Sequence, residues 1–195
     1  MKILLASKSP RRRELVSLMG LPYDTVDIEV DEHVDGAIEA SQVAEATARK
    51  KAAAYSKPIG DDEVLIASDT VVVLDGKVLG KPHDREEAQH MLQGLAGRCH
   101  QVYSGVCLRS QSGTKSFSEC TQVWFRKLTN QEIDYYIDRY KPYDKAGAYG
   151  IQEWIGMVGI ERIEGCYYNV MGLPTARLYK ELQLLVDRDL TLVDE

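Results

Sequence analysis

The sequence predicts an α/β fold built on a twisted mixed sheet flanked by helices, and three observations carry that prediction. Strand and helix signals alternate through the first half of the chain. An Asp75-Gly76 pair between β-branched runs marks a tight hairpin. Two long strand-like runs, 99–108 and 115–127, flank a Ser/Gly turn at SQSG.

Taken in order, KILLA at 2–6 reads as a buried strand, and 10–19 as a helix that starts at Pro10 and ends before Gly20. Ser9 stands where an N-cap belongs. A strand over 22–28 leads into an acidic stretch holding Asp27, Glu29, Asp31, Glu32 and Asp35. Residues 41–56 form an Ala-rich helix, with Val43, Ala44, Thr47, Ala48 and Lys51 at helical spacing. The hairpin occupies 64–82. Asp84 with Glu87 and Thr129 with Glu132 are capping boxes that open helices over 84–95 and to about Tyr140. The Gly-rich segment 141–157 reads as irregular, and 160–163 with 167–171 as the arms of a second hairpin. Pro174 starts a closing helix with Leu178, Leu182 and Leu185 on one face.

The 195 residues suffice for a sizeable core, in a single domain or two packed lobes. A net charge of −6 disfavours extended contact with nucleic acid, whose binding rests on an excess of Lys and Arg. The four cysteines form no C-x-x-C pair and, with four scattered histidines, offer no zinc spacing. Three of the cysteines lie in apolar, strand-like runs and read as small buried thiols. No secretory signal and no membrane-length apolar run is visible, so a cytoplasmic protein is expected.

Arg11, Arg12 and Arg13 crowd the first turn of the first helix. That end already carries partial positive charge, so local physics disfavours the arrangement. A bound polyphosphate would turn the repulsion into attraction, with Ser7 and Ser9 adding hydroxyl donors. A solvated basic face is the plain alternative, and the chain lacks a Walker-type or G-x-G-x-x-G motif.

Asp69, in VLIASDTVVVL, is flanked by apolar residues, where a carboxylate needs a partner or a cation. It is a candidate general base or metal ligand, or else a residue that caps a strand break through backbone N–H groups. Lys51 and Lys81 could reach a phosphate or simply be exposed lysines. Glu32 gains meaning only near Asp69, where two carboxylates could share a divalent ion. Gln152 follows Gly147 and Gly150, and its amide matches the donor–acceptor edge of uracil or thymine, although taken alone it reads as an ordinary surface glutamine.

LASKSPRRREL at 5–15, ASDTVVVLDGKVLGKP at 67–82, GLAGRCHQVYSGV at 94–106, YDKAGAYGIQ at 143–152 and GLP at 172–174 together resemble the Maf family of nucleotide pyrophosphatases. The resemblance runs in order over nearly the whole chain. It implies a Maf/ITPase-like fold, one domain over 1–195 with two lobes around a cleft, and Asp69 as the catalytic acidic residue. It places Arg12, Thr70 and Gln152 among residues that set substrate choice, and Ser9, Arg11, Arg12, Glu32, Lys51 and Lys81 among those lining the cleft. KAGAYGIQ resembles the branch that hydrolyses dTTP and UTP; a second branch prefers 7-methylguanosine triphosphate. Arg13 is an arginine beyond the family's pair, and Lys8, which replaces a small residue of the motif, is expected to point outward.

The expected reaction cleaves a pyrimidine nucleoside triphosphate (dTTP, UTP, with CTP and modified pyrimidines also considered) to the monophosphate and pyrophosphate. The expected cofactor is a divalent cation, Mg²⁺ before Mn²⁺ or Co²⁺, shared by Asp69, Glu32 and the phosphates. Family members often pair as homodimers, and a link to cell division is associated with the family. A nucleotide-binding regulator of septum formation without turnover and a phosphomonoesterase are the rival readings.

Overall fold

The computed structural model describes residues 1–31 and 38–186. The chain divides into two compact units. Of the described residues, the first holds 1–31, 38–69, 104–119 and 172–186; the second holds 70–103 and 120–171.

In the first unit, β1 (Lys2–Ala6) passes through α1 (Pro10–Leu18) to β2 (Tyr23–Thr25), which pairs with it in parallel. The helix α2 (Ala40–Ala54) then leads to β3 (Glu63–Leu74), also parallel to β1, with Ala6 opposite Ala67. Period-two alternation sends Leu4, Ala6, Leu65 and Ala67 to one sheet face, where they meet Ala48 and Ala52 of α2 and Cys107. The alanines let the helix lie close to the sheet. At Gly105, in β5 (Cys99–Ser110), a Cβ would stand 2.2 Å from the Ala44 carbonyl carbon, so any side chain there would lift α2 away. After β6 (Gly113–Phe125), whose first residues belong to this unit, α7 (Thr175–Val186) buries Leu178 and Leu182.

The second unit begins at Thr70, within β3. β3 turns through Asp75 (φ 50°) and Gly76 (φ 73°) into β4 (Lys77–Leu79), as the Asp-Gly pair predicts. The helices α3 (Arg85–Leu95), α4 (Asn130–Tyr140) and α5 (Trp154–Gly159) follow in chain order, then β7 (Ile160–Glu164) and α6 (Tyr167–Met171). Leu92, Leu95, Ile133, Ile137 and Ile155 are fully buried in this unit's core. Each such side chain contributes roughly 1.5–3 kcal/mol. Among the described residues the strand order is β2-β1-β3-β5-β6-β7, with β4 paired to β3, a seven-stranded mixed sheet. No described helix is long and apolar enough to cross a membrane.

Several expectations need correction. β2 covers only Tyr23–Thr25 rather than 22–28. The Thr129 capping box is complete, whereas Glu87 donates its N–H to Asp84 and turns its own carboxylate to the His83 N–H. Segment 141–157 is not wholly irregular: two single-turn 3₁₀ pieces precede α5. Residues 167–171 are a helix, not a hairpin arm, because β7 takes β6 as its antiparallel partner. Buried Asn169 then holds the short helix by donating to the Val102 carbonyl and Thr121 Oγ1. Of the thiols only Cys107 is buried; Cys99 and Cys166 are half-buried and Cys120 is exposed. Burial pushes the Cys107 thiol up to about 11, which makes it inert.

Candidate active site

β1 ends at Ala6 on the Ala6–Ala67 rung, and the chain then turns into α1 at Pro10. Asp69 follows Ala67 on the parallel neighbour by two residues, about 7 Å along the strand. Ligand sites in parallel α/β sheets form at this carboxyl end. By alternation Asp69 continues the face of Leu65 and Ala67, the face on which α2 packs. Lys51 lies one turn beyond Thr47 and Ala48 on the same helix face, and its Nζ donates to Asp69 Oδ1 at 2.9 Å. Their side chains are 13% and 18% exposed, so Asp69 is less deep than its apolar flanks predict, and Lys51 is no solvated lysine. The strand runs unbroken through Asp69, so the carboxylate does not cap a strand break.

Ser9 occupies the N-cap position of α1, yet its side chain makes no capping hydrogen bond; its backbone N–H donates to Ser7 Oγ. No acidic residue stands in the first turn. Arg12 Nε donates to the Gly172 carbonyl at 2.9 Å, which ties the guanidinium to the GLP turn before α7. Arg11 and Arg12 are half-buried; Arg13 is exposed and folds back, Nη2 donating to the Lys8 carbonyl at 2.9 Å. The extra arginine therefore braces the turn into α1. Lys8 is exposed, as expected.

The remaining candidates lie in the second unit. Thr70 is half-buried and, by alternation, shares a face of β3 with Val72, on which Gly147 packs closely enough that a Cβ would stand 3.0 Å from the valine methyls. The Gly147 N–H donates to the Gly80 carbonyl at 2.9 Å, tying the GKP turn to the 141–152 segment. Lys81 and Gln152 are both exposed. Glu32 lies outside the described residues.

Sequence reasoning passed over the groups that hold this segment. Lys145 is buried, with Nζ 2.7 Å from Asp144 Oδ1 and 3.1 Å from Glu153 Oε1. The Tyr136 hydroxyl donates to Glu153 Oε2 and accepts the Gly150 N–H. Buried Tyr149 shares a 2.7 Å hydrogen bond with His100 Nε2, and burial pushes His100 down to about 4. The polar residues inside an otherwise Gly-rich run were the only available signal.

Among the described residues no three His, Cys, Asp or Glu side chains converge on one point. Asp69 and Lys51 do not make a preformed cage. A cation of the Mg²⁺ type takes only one or two protein carboxylates and completes its shell with substrate phosphates and water; of this pair Asp69 alone could ligate it, since the Lys51 ammonium has no free electron pair.

Residues 2–185 match the family model described as Maf-like protein. A dTTP/UTP pyrophosphatase of Phocaeicola vulgatus is 50% identical over 94% of this chain and 96% of its own. A protein of the same name from Carboxydothermus hydrogenoformans is 51% identical over 94% and 98%. Among solved structures, the Ham1 protein of Staphylococcus aureus aligns with 64% of this chain and 72% of its own, at 17% identity and a TM-score of 0.44.

Proposed function

The chain belongs to the Maf family, and from that premise we propose that it hydrolyses dTTP and UTP to the nucleoside monophosphate and pyrophosphate. The observation that carries this reading is the Lys51–Asp69 pair in the middle of β3, just past the carboxyl end of its parallel neighbour β1, in the unit whose first helix opens on Arg11 and Arg12. The N-terminal N–H groups of α1 and the two guanidiniums neutralise the triphosphate, and Ser9 adds a donor. Lys51 orients the Asp69 carboxylate through Oδ1, leaving Oδ2 to accept a proton from the attacking water. Lys51 and Lys81 take up negative charge as pyrophosphate departs. Gln152 reads the uracil or thymine edge, and Thr70 supports substrate choice.

Asp69, with Glu32, would hold a divalent cation against the phosphates, where it supplies charge neutralisation and a more acidic water. The relatives' names support the hydrolysis of dTTP and UTP. The enzyme acts on free nucleotides in the cytoplasm. Pyrophosphate and orthophosphate should be assayed over a nucleotide panel, with and without Mg²⁺. Pyrophosphate from UTP and dTTP in step with monophosphate is expected. Orthophosphate as the first product would make the chain a phosphomonoesterase, and binding without product would make it a regulatory module.

A further inference from the structure

Gln152 stands in the Gly150–Glu153 turn, closed by the Glu153 N–H donating to the Gly150 carbonyl at 3.0 Å. Its side chain is exposed, so its aim is inherited from its flanks. On one side Ile151 is sunk in the core at 6% exposure. On the other, Glu153 is held at both oxygens, Oε1 by Lys145 Nζ and Oε2 by the Tyr136 hydroxyl. The same hydroxyl accepts the Gly150 N–H, so one phenol grips both ends of the turn. A Cβ at Gly150 would stand 3.0 Å from Glu153 Cδ and 3.2 Å from Lys145 Cε, so a side chain there would press on the pair.

An ion pair in this setting is a weak source of stability, since apolar groups of similar volume pack as well. Directional bonds to two carboxylate oxygens instead fix the rotation of the turn. We propose that Lys145, Glu153 and Tyr136 are positioning residues for base selection: they set the angle at which Gln152 meets the pyrimidine. The inference rests on Gln152 as the base reader. It requires that the clamp act on the base end of the substrate and leave the phosphate end untouched.

The test compares KM and kcat for UTP, and competitive inhibition by pyrophosphate, in the full-length Lys145→Met, Tyr136→Phe, Lys145→Arg and Gln152→Ala proteins. Lys145→Met and Tyr136→Phe should each raise the KM for UTP about tenfold, with kcat and the pyrophosphate inhibition constant within about twofold of the parent. Lys145→Arg should restore most of the KM, and Lys145→Met should add little on a Gln152→Ala background. Should Lys145→Met fail to fold, Tyr136→Phe, whose ring stays stacked on Tyr140, carries the test alone. If Gln152→Ala raises KM while both clamp variants leave it unchanged, the positioning role is wrong and the base reader stands. If Gln152→Ala itself leaves KM unchanged, base reading by Gln152 falls and this inference with it. A pyrophosphate inhibition constant that rises in step with KM would place Lys145 on the phosphates and overturn the proposal.

Discussion

Lys51 with Asp69 in the first unit and Lys145 with Glu153 in the second are both largely buried lysine–carboxylate pairs, but their surroundings differ. Lys51 reaches from the last turns of a helix across to a strand, on a flexible four-carbon stem, and grips one oxygen of Asp69. Lys145 touches two carboxylates, and Glu153 has both oxygens bound, one of them by a core tyrosine. An ammonium on such a stem can exchange a carboxylate oxygen for a ligand's phosphate at little structural cost. A cross-braced one holds a turn in place. On the proposed function, similar residue pairs would serve chemistry in one region and scaffolding in the other.

The largest effect that would break this contrast falls at Asp69. Asp69→Asn should lower kcat for UTP by about 10²–10⁴-fold, the usual worth of a positioned general base, measured as pyrophosphate release. Lys51→Met should follow, costing about 10²-fold in kcat, whereas the clamp variant Lys145→Met acts on KM. Equal kcat losses at the two lysines would erase the distinction.

The arginines sharpen it further. Arg12→Ala should cut kcat/KM about tenfold by removing a charge-assisted grip that Gly172 holds in place. Arg13→Ala should change it by less than about twofold, as its side chain is exposed and braces the Lys8 carbonyl.

A smaller effect concerns stability rather than rate. Folded His100 titrates near 4 against an ordinary value of 6.5, because burial disfavours its charged form. As pH falls from 6.5 toward 4, the unfolded chain takes up a proton that the folded one refuses. His100 therefore gives full stability above 6.5 and loses it on the acid side, at up to about 1.4 kcal/mol per pH unit. Chemical denaturation of the parent and a His100→Gln variant across that range should show the slope in the parent only.

The sequence was legible where local signals decide the outcome. Strand β1, the Pro10 start of α1, the Asp75-Gly76 turn and the Thr129 box depend on neighbours in the chain, and each forms as expected. Tyr167–Met171 was misread because its aromatic and β-branched residues suit a strand. Its helix is held by Asn169 bonds to Val102 and Thr121, 67 and 48 residues away. Similarly, Asp69 and Lys51 were visible as candidates, but their pairing depends on α2 crossing the sheet at Gly105. The Lys145 clamp was invisible because its partners come from α4 and from beyond the motif that drew attention to Gln152.

The most direct test is a crystal structure of the protein with Mg²⁺ and a UTP analogue whose α–β bridging oxygen is replaced by an NH group. The triphosphate should lie on the backbone N–H groups and arginines that open α1, with Asp69 beside the α-phosphate. Phosphates bound well away from both α1 and Asp69 would contradict it.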